Sequence, residues 1–165
     1  LKVGDKLQVM EKSVGFFTMS EVPDGKNLWM FATGTGLGVF ISLLKTAEPW
    51  ERFDNVILVH GVRHANELTY QDQISEFDKN NPGKFQYIQT VTREDIDGCL
   101  NIRIPEGIKS KKFEELSKVV INNDSQFMIC GNPDMINDTV DLLKEKGLER
   151  NRPVSYTHLT LPTTD

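Results

Sequence analysis

One stretch of the sequence, Asn55–Val62, restricts the possible folds more than any other. It reads NVILVHGV, a continuous run of mostly apolar and β-branched residues without polar alternation. A strand of this kind needs apolar cover on both faces, which is typical of a parallel sheet enclosed by helices. Strand patterns also occur at residues 28–32, 85–92 and 126–130, and they alternate with helical patterns at residues 39–44, 67–79, 112–120 and 133–146. The sequence therefore predicts an α/β fold, a parallel sheet with helices on both faces.

Two end regions differ from this central domain, which we assign to residues 24–152. Residues 1–23 contain short β-rich patterns around Leu7, Val9, Val14, Phe16 and Phe17. We interpret these as the last strands of a β-domain whose earlier strands are absent. Residues 153–165 are rich in Ser and Thr and have neither a helical period nor that of a core strand. They resemble translated adaptor sequence, so we expect a non-native tail outside the fold, and we expect the chain to be a fragment of a longer gene product.

Composition narrows the possible functions. The chain of 165 residues carries a formal net charge of −5, so it lacks the positive excess that a broad nucleic-acid or anionic membrane surface requires. No run approaches the ~18 apolar residues of a membrane-spanning helix. Cys99 and Cys130 have neither metal-ligand nor disulfide-framework spacing, which predicts a reducing, cytoplasmic environment. We therefore expect no nucleic-acid partner and no membrane partner.

A glycine-rich loop follows the first predicted strand of the sheet. Gly34, Gly36 and Gly38 precede a predicted helix, whose unpaired N–H groups and dipole would attract a phosphate. The spacing is G-x-G-x-G and differs from the G-x-G-x-x-G/A dinucleotide fingerprint, because position 39 is Val. Both interpretations of the loop stay open: a phosphate cradle, or a turn that needs glycine for tight packing.

Three arginines lie close to the predicted strand ends. Arg63 follows the second strand, Arg93 follows the third, and Arg103 lies further along the same loop as Arg93. Ligands of parallel sheets bind beyond the carboxyl ends of the strands, and guanidinium groups form paired, charge-assisted hydrogen bonds with phosphate. Each arginine taken singly is equally explained as a solvated surface residue. Their shared location predicts a site for a phosphorylated ligand.

The segment from Cys130 to Asp134 ends the fourth predicted strand and begins a helix. Asn132 suits the N-cap, Pro133 the first helical position and Asp134 the first turn. A well-capped helix after a buried cysteine accounts for this segment without a ligand. The functional alternative places Cys130 at the carboxyl edge of the sheet, facing a bound ring.

Other catalytic arrangements are not supported by the sequence. His60 and His64 lie on either side of a predicted strand end, so they do not share a helix face and we predict no metal site. No Ser-His-Asp set and no pair of catalytic carboxylates is recognisable.

Taken in order, these segments resemble the ferredoxin–NADP reductases of the bacterial type. The resemblance runs from Leu1 to about Arg152. Its motifs are Gly4-Asp5, Gly15-Phe16-Phe17-Thr18, Glu21-Val22-Pro23, Leu28-Trp29-Met30, Ala32-Thr33-Gly34-Thr35-Gly36, Val59-His60, Arg63, Thr92-Arg93-Glu94, Arg103-Ile104-Pro105 and Cys130-Gly131-Asn132-Pro133. The chain departs from the family pattern before Arg103, where Asn101 and Ile102 stand and the family usually has Gly. The family's flavin-binding Arg-x-Tyr-Ser strand and its C-terminal strand have no counterpart.

The resemblance implies an FAD-holding antiparallel β-barrel joined to an NADP-binding α/β domain. Residues 1–23 would then be the C-terminal strands of a truncated barrel, and residues 24–152 the NADP-binding domain. The resemblance also implies that Thr35 contacts FAD and that Cys130 positions the nicotinamide. It assigns the adenosine and 2′-phosphate end of NADP to Val62, Arg63, Thr92, Arg93 and Arg103. The family's other NADP-contact segment matches Asn132, Pro133, Asp134 and Asp138, and the loop that contains Gly34 and Gly36 would face the pyrophosphate.

The activity implied by the resemblance is electron transfer between NADP(H) and ferredoxin or flavodoxin through bound FAD. We expect this fragment not to hold FAD by itself and so to be inactive alone. One alternative is the reductase module of an oxygenase, or a free flavin reductase, with the same nucleotide domain. An alternative of another class is a non-catalytic nucleotide-binding domain.

Overall fold

Five parallel strands form one sheet in the order β3-β2-β1-β4-β5 in the computed structural model, which describes residues 2–6, 15–148 and 153–157. The strands are β1 (Asn27–Thr33), β2 (Asn55–Val62), β3 (Phe85–Val91), β4 (Ser125–Gly131) and β5 (Val154–Thr157). The helices are α1 (Leu37–Leu44), α2 (Glu48–Arg52), α3 (Gln71–Asn80), α4 (Ile104–Lys109), α5 (Lys112–Ser117) and α6 (Pro133–Glu145). The predicted α/β class is confirmed.

Both faces of the sheet are buried, as the apolar run in β2 indicated. Alternate side chains of a strand point to opposite faces. In β1, Met30 and Ala32 pack on one face, while Trp29 and Phe31 pack on the other. The first face is covered by Leu37, Phe40, Ile41 and Leu44 of α1 and by Ile74 of α3. The second is covered by Ile104, Ile108, Phe113, Ile136 and Leu143 of α4, α5 and α6.

The strand order creates a switch point between β1 and β4. From β1 the chain proceeds outward through β2 to β3 and then returns to the other side of β1. The connections that leave β1 and β4 therefore diverge to opposite faces of the sheet, which opens a crevice beyond their carboxyl ends. Ligands of such sheets bind in this crevice.

Two helices are shorter than predicted. The helix expected at residues 67–79 begins at Gln71, because Ala65–Glu67 forms a separate 3-10 turn and Tyr70 has left-handed backbone with φ of +60°. The helix expected at residues 112–120 ends at Ser117, since Lys118 is also left-handed. Among the described residues no helix is long and apolar enough to cross a membrane.

Two further helices, α2 and α4, were not predicted. Each has a proline in its first turn, Pro49 in α2 and Pro105 in α4. Proline is compatible with the first turn because its missing N–H has no helical partner there. Pro49 was instead interpreted as the end of the preceding helix, and residues 93–105 as a loop, whose last two residues belong to α4.

The proposed barrel remnant is only partly described. Leu7, Val9 and Val14 lie outside the described residues. Phe16 and Phe17, which were assigned to strand patterns, are not in a strand. Phe17 instead contacts Phe40 of α1, with ring centroids 5.7 Å apart. The barrel and the domain boundaries stay predictions.

The expectation that residues 153–165 lie outside the fold is wrong for Val154–Thr157. These residues form β5, which pairs with β4 in a register that joins Met128 to Val154 and Gly131 to Thr157. Val, Tyr and Thr favour strands, and four residues are too few to show a clear period. The edge of β4 offers unpaired backbone groups that such a segment can satisfy. Residues 158–165 lie outside the described residues.

Candidate functional site

A cavity of about 660 Å³ lies at the carboxyl end of the sheet. This volume is within the usual range for small-ligand and cofactor sites. Most of the predicted site residues line it, namely Gly34, Thr35, Val62, Arg63, Thr92, Arg93, Arg103, Asn132, Pro133, Asp134 and Asp138. Gly36 and Cys130 do not. The cavity lies at the switch point that the strand order creates.

The structure brings Arg63 and Arg93 together. The pairing of β2 with β3 continues past the strands, because Thr92 N donates to Val62 O at 3.1 Å and Arg93 N donates to Arg63 O at 3.0 Å. Arg103 lies just before α4, where its backbone N–H donates to Glu106 Oε2 at 3.1 Å. All three arginines are exposed and line the same cavity. The arginines are therefore clustered, as the sequence predicted.

The three guanidinium groups are available for an external anion. Within the described ranges of the chain, none of them is in an ion pair or a side-chain hydrogen bond. The carboxylates that also line the cavity are Glu67, Asp134 and Asp138. Glu67 accepts a hydrogen bond from Arg63 N, and its interaction with Arg63 favours the charged carboxylate.

Two carboxylates hold the loop that follows β2. Glu67 Oε2 accepts from the backbone N–H groups of Arg63 at 2.8 Å and His64 at 3.1 Å. Glu94, in the loop after β3, accepts from Ala65 N at 2.9 Å and contacts His64 Nδ1 at 2.6 Å. The hydrogen bond from His64 N has the largest effect in lowering the pKa of Glu67, and the hydrogen bond from Arg63 N lowers it further. The pKa of Glu94 is lowered most by the hydrogen bond from Ala65 N and next by that from the His64 side chain. Both groups are therefore carboxylates at neutral pH.

The two parts of the glycine loop differ in their surroundings, and the phosphate cradle stays a prediction. Gly34 and Thr35 line the cavity, whereas Gly36 is buried against β4. A Cβ at Gly36 would lie 2.5 Å from the carbonyl oxygen of Cys130, which no real side chain tolerates. The first part of the loop therefore faces the cavity, and Gly36 permits the close approach of the loop to β4.

The start of α6 is tied to the end of β1. Asn132 N donates to Thr33 Oγ1 at 2.8 Å, and Gly131 leaves no room for a side chain because a Cβ there would collide with Thr33. Asn132 Oδ1 accepts from Asp134 N at 2.9 Å and Met135 N at 3.3 Å. The predicted N-cap is thus present. Because the cap occupies these amides and Pro133 has none, the first N–H groups of α6 are already satisfied.

A buried histidine connects the glycine loop to β3. His60 is fully buried, its Nε2 lies 3.2 Å from Gly34 O, and its Nδ1 lies 3.2 Å from Tyr87 Oη. Because a carbonyl oxygen only accepts, Nε2 carries the proton and donates, and Nδ1 accepts from the Tyr87 hydroxyl. Burial lowers the pKa of His60, which keeps the ring neutral. His60 is therefore a structural link behind the cavity.

Cys130 belongs to the core. Its side chain is fully buried and packs in the apolar cluster beneath α1. Burial raises the pKa of the Cys130 thiol to about 11, so it is not a nucleophile at neutral pH. In these surroundings Cys130 acts as a small apolar residue next to the cavity, and contact with a nicotinamide stays a prediction.

Several residues of the cavity and of the loops around it were missed by sequence reasoning. Thr90 is fully buried in β3, lines the cavity, and its hydroxyl has no hydrogen-bond partner among the described residues. Glu67 and Glu94 carried a recognisable signal, since one lies four residues after Arg63 and the other directly follows Arg93. A carboxylate this close to a strand-end arginine can accept from the backbone of the loop.

The described ranges contain no group of three or more His, Cys, Asp or Glu side chains that could hold a metal ion. Within the same ranges, the two histidines near the cavity have other partners, His60 with Gly34 and Tyr87, and His64 with Glu94.

Comparison with known proteins identifies similar sequences and structures. The family model for the oxidoreductase NAD-binding domain matches residues 30–141. The flavodoxin/ferredoxin–NADP reductase of Buchnera aphidicola subsp. Schizaphis graminum is 42% identical over 98% of this chain and 63% of its own length. That of Escherichia coli K12 is 42% identical over 84% of this chain and 56% of its own length. The chain thus spans roughly three fifths of these curated relatives.

A solved structure shows the same fold. The ferredoxin NADP+ reductase from Neisseria gonorrhoeae, crystallised with bound FAD and NADP, superposes with a TM-score of 0.79 at 32% identity. The match covers 88% of this chain and 61% of that protein. The resemblance to ferredoxin–NADP reductases is confirmed at the level of sequence and fold. The match to the family model covers more than half of the chain, which therefore belongs to the oxidoreductase NAD-binding domain family.

Proposed function

We propose that this chain is the NADP(H)-binding part of a reductase that transfers electrons between NADP(H) and ferredoxin or flavodoxin through FAD. The observation that carries the proposal is the grouping of Arg63, Arg93 and Arg103 in one cavity at the switch point of the sheet. Among the described residues none of these guanidinium groups is in an ion pair. In a protein with a net charge of −5, such a group of arginines selects an anionic ligand.

The ligand's 2′-phosphate is assigned to Arg63 and Arg93. Their backbones are hydrogen-bonded to each other, so two guanidinium groups can bind one phosphate from neighbouring positions. Thr92 and Val62 lie beside them in the cavity wall. Arg103 at the start of α4 adds a third positive charge. NAD+ lacks the 2′-phosphate, so this cluster favours NADP+ over NAD+.

The opposite side of the cavity suits the remaining part of the dinucleotide. Gly34 and Thr35 after β1 face Asn132, Pro133 and Asp134 after β4. On β3, at the other side of the cavity, the Thr90 hydroxyl has no hydrogen-bond partner among the described residues, which fits a polar ligand group. Asp138, one turn further along α6, also lines the cavity and accepts hydrogen bonds from ribose hydroxyls in our assignment.

In this proposal Thr35 is the residue of the site that contacts FAD. FAD supplies the step from two-electron hydride transfer to single-electron transfer when it is bound. The chain's own residues bind the nucleotide, orient it between the arginines and the glycine loop, and place Cys130 behind the expected nicotinamide position. No described side chain in the cavity is required as a strong acid or base. Both cysteines are free, and a cytoplasmic location is part of this proposal.

The proposal is tested by titrating the purified chain with NADP+, NAD+ and adenosine 2′-monophosphate in calorimetry. We expect NADP+ and adenosine 2′-monophosphate to bind, and NAD+ to bind at least about tenfold more weakly than NADP+, because charge-assisted hydrogen bonds contribute about 1.5–3 kcal/mol each. Equal affinity for NADP+ and NAD+ would contradict the assignment of the arginines.

The role of the flavin is tested in the full-length protein that contains this chain. There we expect stoichiometric FAD and ferredoxin or flavodoxin reduction by NADPH, and Cys130→Ala should lower the hydride-transfer rate more than the affinity for NADP+. An unchanged rate would remove Cys130 from the site. Absence of reductase activity with both electron acceptors would favour the non-catalytic nucleotide-binding alternative.

A further inference from the structure

Glu94 contacts the loops that carry all three arginines. It directly follows Arg93. Its side chain reaches the loop of Arg63, where Oε1 lies 2.6 Å from His64 Nδ1 and Oε2 accepts from Ala65 N at 2.9 Å. Its backbone carbonyl oxygen accepts from Asn101 Nδ2 at 3.4 Å, in the segment that precedes Arg103. One residue thus links the loop after β2 to two parts of the loop after β3.

These contacts begin where the regular pairing of the strands ends. The last backbone hydrogen bond between the two loops joins Arg93 N to Arg63 O. Beyond it, the carboxylate of Glu94 makes the next connection between the loops. The guanidinium groups have no ion pairs of their own among the described residues. The positions of the arginine side chains therefore depend on the backbones of these loops. Glu94 is not part of the cavity wall, and its influence on a ligand passes through the loops.

We infer that Glu94, together with His64, is a positioning residue for recognition of the 2′-phosphate. The contact between them holds the loops after β2 and β3 side by side, so that Arg63 and Arg93 reach the same phosphate. Ordering the loops in the free protein reduces the entropy lost when the phosphate binds. This inference rests on the proposed function and adds to it the residues that determine NADP+ specificity.

The inference predicts a selective loss of affinity. In Glu94→Ala, the Kd for NADP+ and for adenosine 2′-monophosphate rises about tenfold, comparable to the loss of one charge-assisted hydrogen bond. The Kd for NAD+ changes by less than about twofold, because NAD+ does not use the arginine cluster. If Glu94 had a purely structural role, the substitution would weaken the binding of NADP+ and NAD+ alike. Calorimetric titration of the 165-residue chain measures the Kd for each of the three ligands.

Two further variants test the same contact. His64→Ala removes the other partner, whose side chain is 43% exposed, and is expected to reduce NADP+ affinity in the same direction while leaving the melting temperature unchanged. Glu94→Gln keeps an amide oxygen that can accept from Ala65 N and restores part of the affinity. In the double variant Glu94→Ala/His64→Ala, the loss does not exceed that of Glu94→Ala, because the two residues act as one unit.

The matched control is Glu115→Ala, which removes one exposed carboxylate that is paired with Lys112 in α5. Its nucleotide affinities stay at the wild-type values. If Glu94→Ala does not fold, His64→Ala alone decides the matter. Equal losses for NADP+ and NAD+, or no loss in either variant, would overturn the role of Glu94. Wild-type chain that binds neither NADP+ nor adenosine 2′-monophosphate would instead overturn the proposed function.

Discussion

The two sides of the cavity are built in different ways. On the side of β1 and β4, the loops are fixed by close packing: Gly36 touches the backbone of Cys130, and Gly131 touches Thr33. On the side of β2 and β3, the loops are exposed and are fixed by hydrogen bonds that their backbone N–H groups donate to the carboxylates of Glu67 and Glu94. Substitutions on the first side should therefore reduce stability, and those on the second should reduce ligand affinity.

The largest effect is expected for the double variant Arg63→Ala/Arg93→Ala. NADP+ binding should weaken by about 1.5–3 kcal/mol for each charge-assisted hydrogen bond that is lost, while NAD+ binding and the unfolding midpoint stay the same. Calorimetric titration and thermal unfolding measure these quantities. Lys45→Ala/Lys79→Ala, which removes two exposed positive charges away from the cavity, serves as the control. A comparable loss in that control would show a general charge effect instead of a specific phosphate site.

Gly36→Ala is expected to destabilise the fold. Its new Cβ would lie 2.5 Å from Cys130 O, and overpacking of this kind costs about 1–3 kcal/mol. Urea unfolding measures the loss. Gly38→Ala is the control, because the nearest atom to a Cβ there is the hydroxyl oxygen of Tyr70 at 3.6 Å, which is an ordinary contact. Gly38 lies in α1, so alanine there should leave stability unchanged or increase it. Equal unfolding free energies for the two variants would contradict the packing role of Gly36.

Asn132→Ala is expected to have a smaller effect on stability. It removes the side-chain oxygen that accepts from Asp134 N and Met135 N, and loss of such an N-cap costs about 1 kcal/mol. Asn137→Ala, at an exposed position within α6, is the matched substitution and should not destabilise the protein. Asn132 lines the cavity as well, so this variant shows whether one residue can serve both stability and binding. An unfolding free energy equal to that of the wild type would exclude the capping role.

The smallest effect is a change in the pH dependence of stability through His60. Burial lowers the pKa of His60 from its ordinary value of about 6.5. As the pH falls below about 6.5, the unfolded chain takes up a proton before the folded protein does, so this residue makes the free energy of unfolding decrease toward acid pH.

His60→Gln tests this assignment, because glutamine can still donate to Gly34 O but does not titrate. Urea unfolding between about pH 7.5 and 5.5 stays above the range in which carboxyl groups with an ordinary pKa of about 4.3 titrate. The unfolding free energy of the variant should depend less steeply on pH than that of the wild type. Identical slopes would show that His60 is not held in the neutral form.

Much of the fold and site could be predicted because the relevant signals are local. The apolar run of β2 indicated a sheet covered on both faces, and the strand ends located Arg63 and Arg93 at the same edge. The cap at Asn132 was recognisable from the order Asn-Pro-Asp. These features depend on residues that are close in sequence or on the general rule that parallel strands end together.

The features that could not be predicted depend on contacts between distant segments. Gly36 is separated from Cys130 by much of the chain, so the glycine spacing could not show which glycine packs and which faces the ligand. A 3-10 turn precedes α3 and moves its start toward the C-terminus. This turn forms because the Glu67 side chain accepts hydrogen bonds from the backbone N–H groups of Arg63 and His64. The pairing of Val154–Thr157 with β4 depends on an edge that no four-residue pattern reveals.

The most direct test of the arginine assignment is a crystal structure of this chain with adenosine 2′-monophosphate. We predict that the phosphate lies at the carboxyl ends of β2 and β3, with oxygens within hydrogen-bond distance of the guanidinium groups of both Arg63 and Arg93. A phosphate bound elsewhere, for example against Gly34 in the loop before α1, would contradict the account.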